Sequence, residues 1–107
     1  MGTFFLFGKY SPGEIRNIAA HRTQQLREIV SRRGGKVDSC HALLGKYDLV
    51  LIVELPSLEA AMGTAVALGD LLGISFCTSP AVPIDVFDKM VDDLTNEIES
   101  LRMEARE

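Results

Sequence analysis

Three observations predict an α+β fold built on a four-stranded antiparallel sheet with two helices on one face. Short apolar runs bounded by glycine and proline alternate with stretches of helical spacing, in the order strand, helix, strand, strand, helix, strand. The two middle strands are joined only by Gly45-Lys46-Tyr47, a link of hairpin length. The other connections each carry a helix, and the right-handed crossover rule then places both helices on the same side of one sheet.

The first strand is expected over residues 3–9, with Phe4 and Leu6 pointing one way and Phe5 and Phe7 the other. Ser11-Pro12-Gly13-Glu14 reads as a helix start: a capping serine, a proline at the first helical position and a glutamate completing a capping box. Ile15, Ile18, Ala19, Leu26, Ile29 and Val30 recur behind it at helical spacing, until Arg32-Arg33 and Gly34-Gly35 end the helix. Residues 36–44 and 48–55 read as strands. The second is almost continuous in Leu, Val and Ile, so it is expected at the sheet centre. Pro56-Ser57 stops that strand and caps a helix over about 58–72, whose many Ala and Gly residues suit close approach to a sheet, with Gly73 as its stop. A fourth strand follows over 74–79, closed by Pro80 and Pro83. The result is a ferredoxin-like β-α-β-β-α-β sandwich over residues 1–82, with an extra C-terminal helix over 83–107.

That last segment carries Ile84, Phe87, Val91, Leu94, Ile98, Leu101 and Ala105 at alternating spacings of three and four, a heptad pattern. In this register Glu97 and Arg102 occupy flanking positions that pair between parallel helices. Two outcomes stay open: the helix folds back on its own domain, or it projects toward a partner. Val86 and Met90 widen the apolar face near its start and favour docking there, whereas the polar end favours projection.

Composition narrows the function. The chain has 107 residues, 47% of them hydrophobic, enough for one domain with its own core. Eleven basic residues against 15 acidic ones make a net charge of −4, the wrong sign for a protein that neutralises phosphates, so no nucleic acid is expected as partner. No run reaches the length of a transmembrane helix, and the opening MGTFFLFGKY is too short and too weakly basic for a secretory leader. Cys40 and Cys77 form no CxxC or cysteine–histidine grid; a cytoplasmic location without membrane association suits them best. Both faces of the first and third strands are apolar, yet two helices cover only one face. A second copy of the sheet is the simplest cover, so homo-oligomerisation through that face, and through the C-terminal helix if it projects, is expected.

Candidate chemistry is sparse. Tyr47-Asp48, at the hairpin tip, can orient a small polar ligand or a proton, or can simply serve the turn, with Asp48 accepting from turn amides and Gly45 supplying a positive φ. His41 is expected on the same face as Val37, Ser39 and Leu43, as a base or as a hydrogen-bonded interface residue. Tyr10, at the end of the first strand, joins Tyr47, Asp48 and His41 as a candidate ligand contact. Cys40 points away from His41 and has no evident activating base, so it reads as a buried inert thiol, as does Cys77. Asp38 and Glu54 fall roughly opposite each other across the hairpin, as a cation or shared-proton site or as a solvated sheet end beside Lys36. His21 and His41 share neither a helical face nor a carboxylate at ligand spacing, so neither a metal nor a cofactor is expected.

Three segments carry a family resemblance: Phe4-Phe5-Leu6-Phe7-Gly8-Lys9-Tyr10-Ser11, Gly34-Gly35-Lys36-Val37, and Leu44-Gly45-Lys46-Tyr47-Asp48-Leu49-Val50 with Glu54 and Pro56. At these spacings the chain resembles the GYD domain family over about residues 3–90. The resemblance implies a small bacterial or archaeal ferredoxin-like domain, related in architecture to dimeric α+β barrels, and it leaves the function open. Ser79-Pro80-Ala81-Val82-Pro83 and the helical tail depart from the family pattern. Two functions compete. One is an oligomeric module that binds a small molecule or a partner, with a regulatory role and no catalytic set. The other is a small cofactor-free enzyme of isomerase, decarboxylase or oxygenase type, with Tyr47, Asp48 and His41 lining a sheet cleft.

Overall fold

The computed structural model describes residues 1–12 and 20–106. Along the chain run β1 (Gly2–Tyr10), α1 (Ala20–Arg32), β2 (Lys36–Ala42), β3 (Leu49–Leu55), α2 (Leu58–Leu72), β4 (Ile74–Ala81) and α3 (Ile84–Ala105). The four strands form one antiparallel sheet in the order β2-β3-β1-β4, the ferredoxin-like topology. The helix start expected around Glu14, with Ile15, Ile18 and Ala19, lies outside the described residues, as does the side chain of His21.

Strand alternation builds the core. Phe4 and Leu6 of β1 and Leu49, Leu51, Val53 and Leu55 of β3 are buried with Leu26 and Val30 of α1 and Ala61, Leu68 and Leu72 of α2. All lie between the sheet and its two helices. Gly8 sits in the same β1 row, opposite Leu49 on one side and Phe76 on the other. A Cβ there would stand 2.8 Å from atoms of both neighbours, so the row closes only around a glycine.

The ends of α2 follow their sequence signals. The Ser57 hydroxyl accepts from the Ala60 amide at 3.0 Å, and Gly73 takes the left-handed conformation at φ 68° with its N–H on the Gly69 carbonyl. Three interactions tie this end of α2 to the rest of the body. Ser11 donates to the Gly73 carbonyl from both its amide (3.0 Å) and its hydroxyl (2.9 Å), and the Arg22 guanidinium donates to the Leu72 carbonyl at 2.6 Å.

Two boundaries differ from expectation. β4 runs on through Pro80, which sits opposite Phe4; as an edge strand it tolerates a residue without an N–H. The hairpin loop is wider than three residues: Leu43 donates to the Asp48 carbonyl at 2.8 Å, and Gly45 takes φ 131° within the loop. For the C-terminal segment, where two outcomes stood open, α3 does not fold back on the body. It follows the two-residue link Val82-Pro83, buries no residue, and stretches the molecule to 65 × 30 × 21 Å.

Candidate functional site

A β-bulge decides which side chains of β2 meet the helices. Val37 pairs with Val53, but the next pairings are Ser39 with Ile52, Cys40 with Leu51 and His41 with Val50, which leaves Asp38 as an extra residue. The phase of the strand therefore inverts at Asp38. Cys40 joins Leu51 on the helix side, while His41 and Ser39 lie on the open face and Val37 does not. The expectation that Val37 and His41 share a face is corrected by this single residue.

Behind Cys40 lies a cavity of about 300 Å³ between α1 and the β1–β3–β2 side of the sheet, bordered by Tyr10, Thr23, Leu26, Cys40, Asp48 and Leu49, with His41, Ala42 and Leu43 at its edge. Tyr10 reaches it because alternation along β1 sets it in the Phe4, Leu6, Gly8 row. Burial pushes the Tyr10 phenol above its ordinary value of 10.0; Cys40 and Asp48 add to the rise and Arg22 opposes it. Burial also raises the Cys40 thiol, against the pull of Arg27. Cys40 and Cys77 are nonetheless both exposed, which corrects the expectation of buried thiols: β2 and β4, which carry them, are the two edge strands of the sheet.

Asp48 serves the backbone. Its Oδ2 accepts from the Tyr10 amide at 2.8 Å, and its own N–H donates to the Gly8 carbonyl at 2.8 Å. The two bonds clip the end of β1 to the start of β3 and form one wall of the cavity.

Tyr47 stands on the other face of the sheet. Its ring lies 5.4 Å from that of Phe7, which in turn is 6.3 Å from Phe5, and Lys46 Nζ sits 5.6 Å from the Tyr47 ring centre. Its neighbour Cys77, more than burial, raises the phenol above its ordinary value. Of the four candidates, the structure therefore brings Tyr10 and Asp48 to one cavity, leaves His41 at its rim on a strand position that faces the open side, and places Tyr47 in an aromatic row with Phe5 and Phe7. Sequence reasoning did not single out Thr23, Leu26 or Cys40 as cavity walls. The helical spacing of Thr23 and Leu26 carries that signal, whereas the placement of Cys40 depends on the bulge.

At the opposite end of the hairpin, Lys36 bridges the two carboxylates, 3.3 Å from Glu54 and 3.9 Å from Asp38. The Asp38 carboxyl is raised by desolvation first and by its hydrogen bond and charge contact with Glu54 second, with Lys36 opposing. Among the described residues no three His, Cys, Asp or Glu side chains gather as a metal-binding set, and no helix is long and apolar enough to cross a membrane.

No curated protein matches the chain. Among solved structures, the leucine response regulatory protein (LrpA) of Mycobacterium tuberculosis superposes with a TM-score of 0.52 at 11% sequence identity, over 77% of this chain and 51% of that one. The chain thus spans about half of that protein's length, and the likeness is one of fold. The GYD domain model matches residues 4–91, from the buried face of β1 through β4 and into α3, and on that match the chain belongs to the GYD domain family.

Proposed function

We propose that this protein is a homo-oligomeric, regulatory-type module that takes a small amphipathic molecule into the cavity beside Tyr10. The observation that carries this reading is the cavity itself. Its volume of about 300 Å³ lies at the lower end of the range of about 300–1,000 Å³ for small-molecule sites. Leu26 and Leu49 supply apolar wall, while the Tyr10 phenol, the Thr23 hydroxyl and the Cys40 thiol supply polar points without an activated nucleophile. The shared fold with a leucine response regulatory protein supports trying amino acids first. The oligomer forms through the open sheet face, where Phe5, Phe7 and Ile52 remain partly exposed in one chain. Two free thiols, Cys40 and Cys77, support a reducing, cytoplasmic setting.

The enzyme alternative requires Tyr47, Asp48 and His41 to converge. In this fold Tyr47 faces the side opposite Tyr10, and the Asp48 carboxylate already holds a backbone amide. The binding reading is therefore the stronger one.

Amide chemical-shift mapping with a panel of the proteinogenic amino acids, leucine included, tests the binding half. Saturable shifts at Thr23, Leu26 and Cys40 that vanish in Leu26→Trp are the expected outcome. A panel without a saturable shift at those residues overturns it. Light-scattering mass tests the oligomeric half: Phe7→Lys is expected to lower the mass, and an unchanged mass removes the sheet face as the interface.

A further inference from the structure

We propose that α3 pairs with the α3 of a second copy, side by side and antiparallel. The surface involved is separate from the open sheet face, so the inference does not rest on the pairing of sheets. α3 is a 22-residue helix with no buried residue. Its Ile84, Phe87, Val91, Leu94, Ile98 and Leu101 form one continuous seam, with exposures from 39% at Val91 to 73% at Ile84. A single helix about 33 Å long at 1.5 Å per residue is marginal in water on propensity alone, and an open seam of large apolar side chains leaves it short of packing. The body of the same chain does not supply that packing, because the helix projects away from it.

The seam itself indicates the occupant. Its spacings alternate between three and four, the pattern that knobs-into-holes packing of helices requires. When Val91 is set against the partner's Leu94, the antiparallel register also sets Ile84 against the partner's Leu101 and Phe87 against the partner's Ile98. By two-fold symmetry all six positions are then filled, with no overhang. The flanking charges agree with that register. Asp88 falls beside the partner's Arg102 at both ends, and Met90 falls beside the partner's Glu97.

Charge distribution selects the direction. The first half of α3 carries Asp85, Asp88, Asp92 and Asp93 against Lys89, a net of −3. The second half, through Arg106, carries Glu97, Glu99 and Glu104 against Arg102 and Arg106, a net of −1. A parallel pair keeps a Glu97–Arg102 contact on each side but places the two aspartate-rich halves together. The antiparallel pair sets each aspartate-rich half against the arginine-bearing half and opposes the two helix dipoles.

Single-cysteine cross-linking reads the arrangement directly. In the antiparallel register the two-fold axis passes between residues 92 and 93, so Val91 faces the partner's Leu94 and neither faces its own counterpart. In a parallel pair Val91 faces Val91 and Leu94 faces Leu94. The test mixes 107-residue chains carrying Val91→Cys with chains carrying Leu94→Cys under mild oxidation, with the linked peptides identified by mass spectrometry to separate them from Cys40 and Cys77. The expected result is a 91–94 link and neither a 91–91 nor a 94–94 link. Adding Ile98→Asp to both chains is expected to abolish the link while the near-ultraviolet signal of the body persists. A 91–91 or 94–94 link, or the absence of a 91–94 link, overturns the proposal. Neither result depends on the Phe7→Lys measurement, so failure of one interface is distinguishable from failure of the other.

Discussion

Helices α2 and α3 are both amphipathic, yet one is built into the body and the other buries nothing. α2 has 15 residues, a serine cap, a left-handed glycine stop and four buried positions, Ala61, Thr64, Leu68 and Leu72. Its small residues bring it close to the sheet: a Cβ on Gly69 would stand 3.1 Å from the Ile74 carbonyl oxygen. Thr64 is fully buried at no polar cost, because its hydroxyl donates to the Ala60 carbonyl at 2.8 Å. α3 begins at Pro83 without a side-chain cap, and its seam is made of large residues at heptad spacing. An apolar stripe is therefore insufficient to dock a helix on a sheet. The stripe must also be small enough at its centre to let the backbone approach.

The sharpest way to break this contrast is one truncation in each helix. Leu68→Ala, at a fully buried position, is expected to cost about 2–5 kcal/mol, as buried leucine truncations do. Leu94→Ala, at a position 46% exposed in the single chain, is expected to leave the tyrosine-reported urea transition of the body in place. Equal losses in the two variants would show that α3 is part of the body's cooperative unit.

A smaller effect separates the support role of Asp48 from a ligand role. Asp48→Ala leaves the Tyr10 amide without its acceptor and is expected to cost about 1–3 kcal/mol. Asp48→Asn keeps an acceptor oxygen and is expected to lose clearly less in the same denaturant titration. If both variants keep full stability, the β1–β3 clip is dispensable and Asp48 becomes free to serve a ligand.

The smallest effect lies at high pH. Tyr10 and Tyr47 both have phenol pKa values raised by folding, so the folded chain holds these protons more tightly than the unfolded one. Their contribution is fully present below the ordinary value of 10.0 and is lost as pH rises through the folded values. Stability is therefore expected to decline on the alkaline side of pH 10, and Cys77→Ala, which removes the neighbour that raises Tyr47, is expected to bring one of the two phenol titrations down. Ultraviolet titration of the phenols checks both; an unchanged pair in Cys77→Ala would rule out Cys77 as the cause of the Tyr47 rise.

Much of the fold was legible in local pattern. The expected span of α2 coincides with the observed one, and Gly45 and Gly73 take the positive φ values that their turns require. The division of Phe4 and Leu6 from Phe5 and Phe7 follows from strand alternation alone. The site was less legible. Tyr47 and Asp48 read as one feature because they are adjacent, yet one enters an aromatic row on the open face and the other clips β1 to β3. His41 and Cys40 were assigned to opposite faces correctly, but their relation to Val37 was not.

The sequence by itself determined the order of the elements, the division of β1 into a Phe4–Leu6 row and a Phe5–Phe7 row, and that α3 carries a heptad seam. Those properties depend on residue size, polarity and spacing over a few turns or pleats. Only the tertiary structure decided that Asp38 bulges, because a bulge is chosen by the register with β3 and by the Lys36, Asp38 and Glu54 group that meets at that end. That choice turns Cys40, and not His41, toward the cavity. It likewise decided that α3 leaves the body, since α1 and α2 already cover the helix-facing side of the sheet.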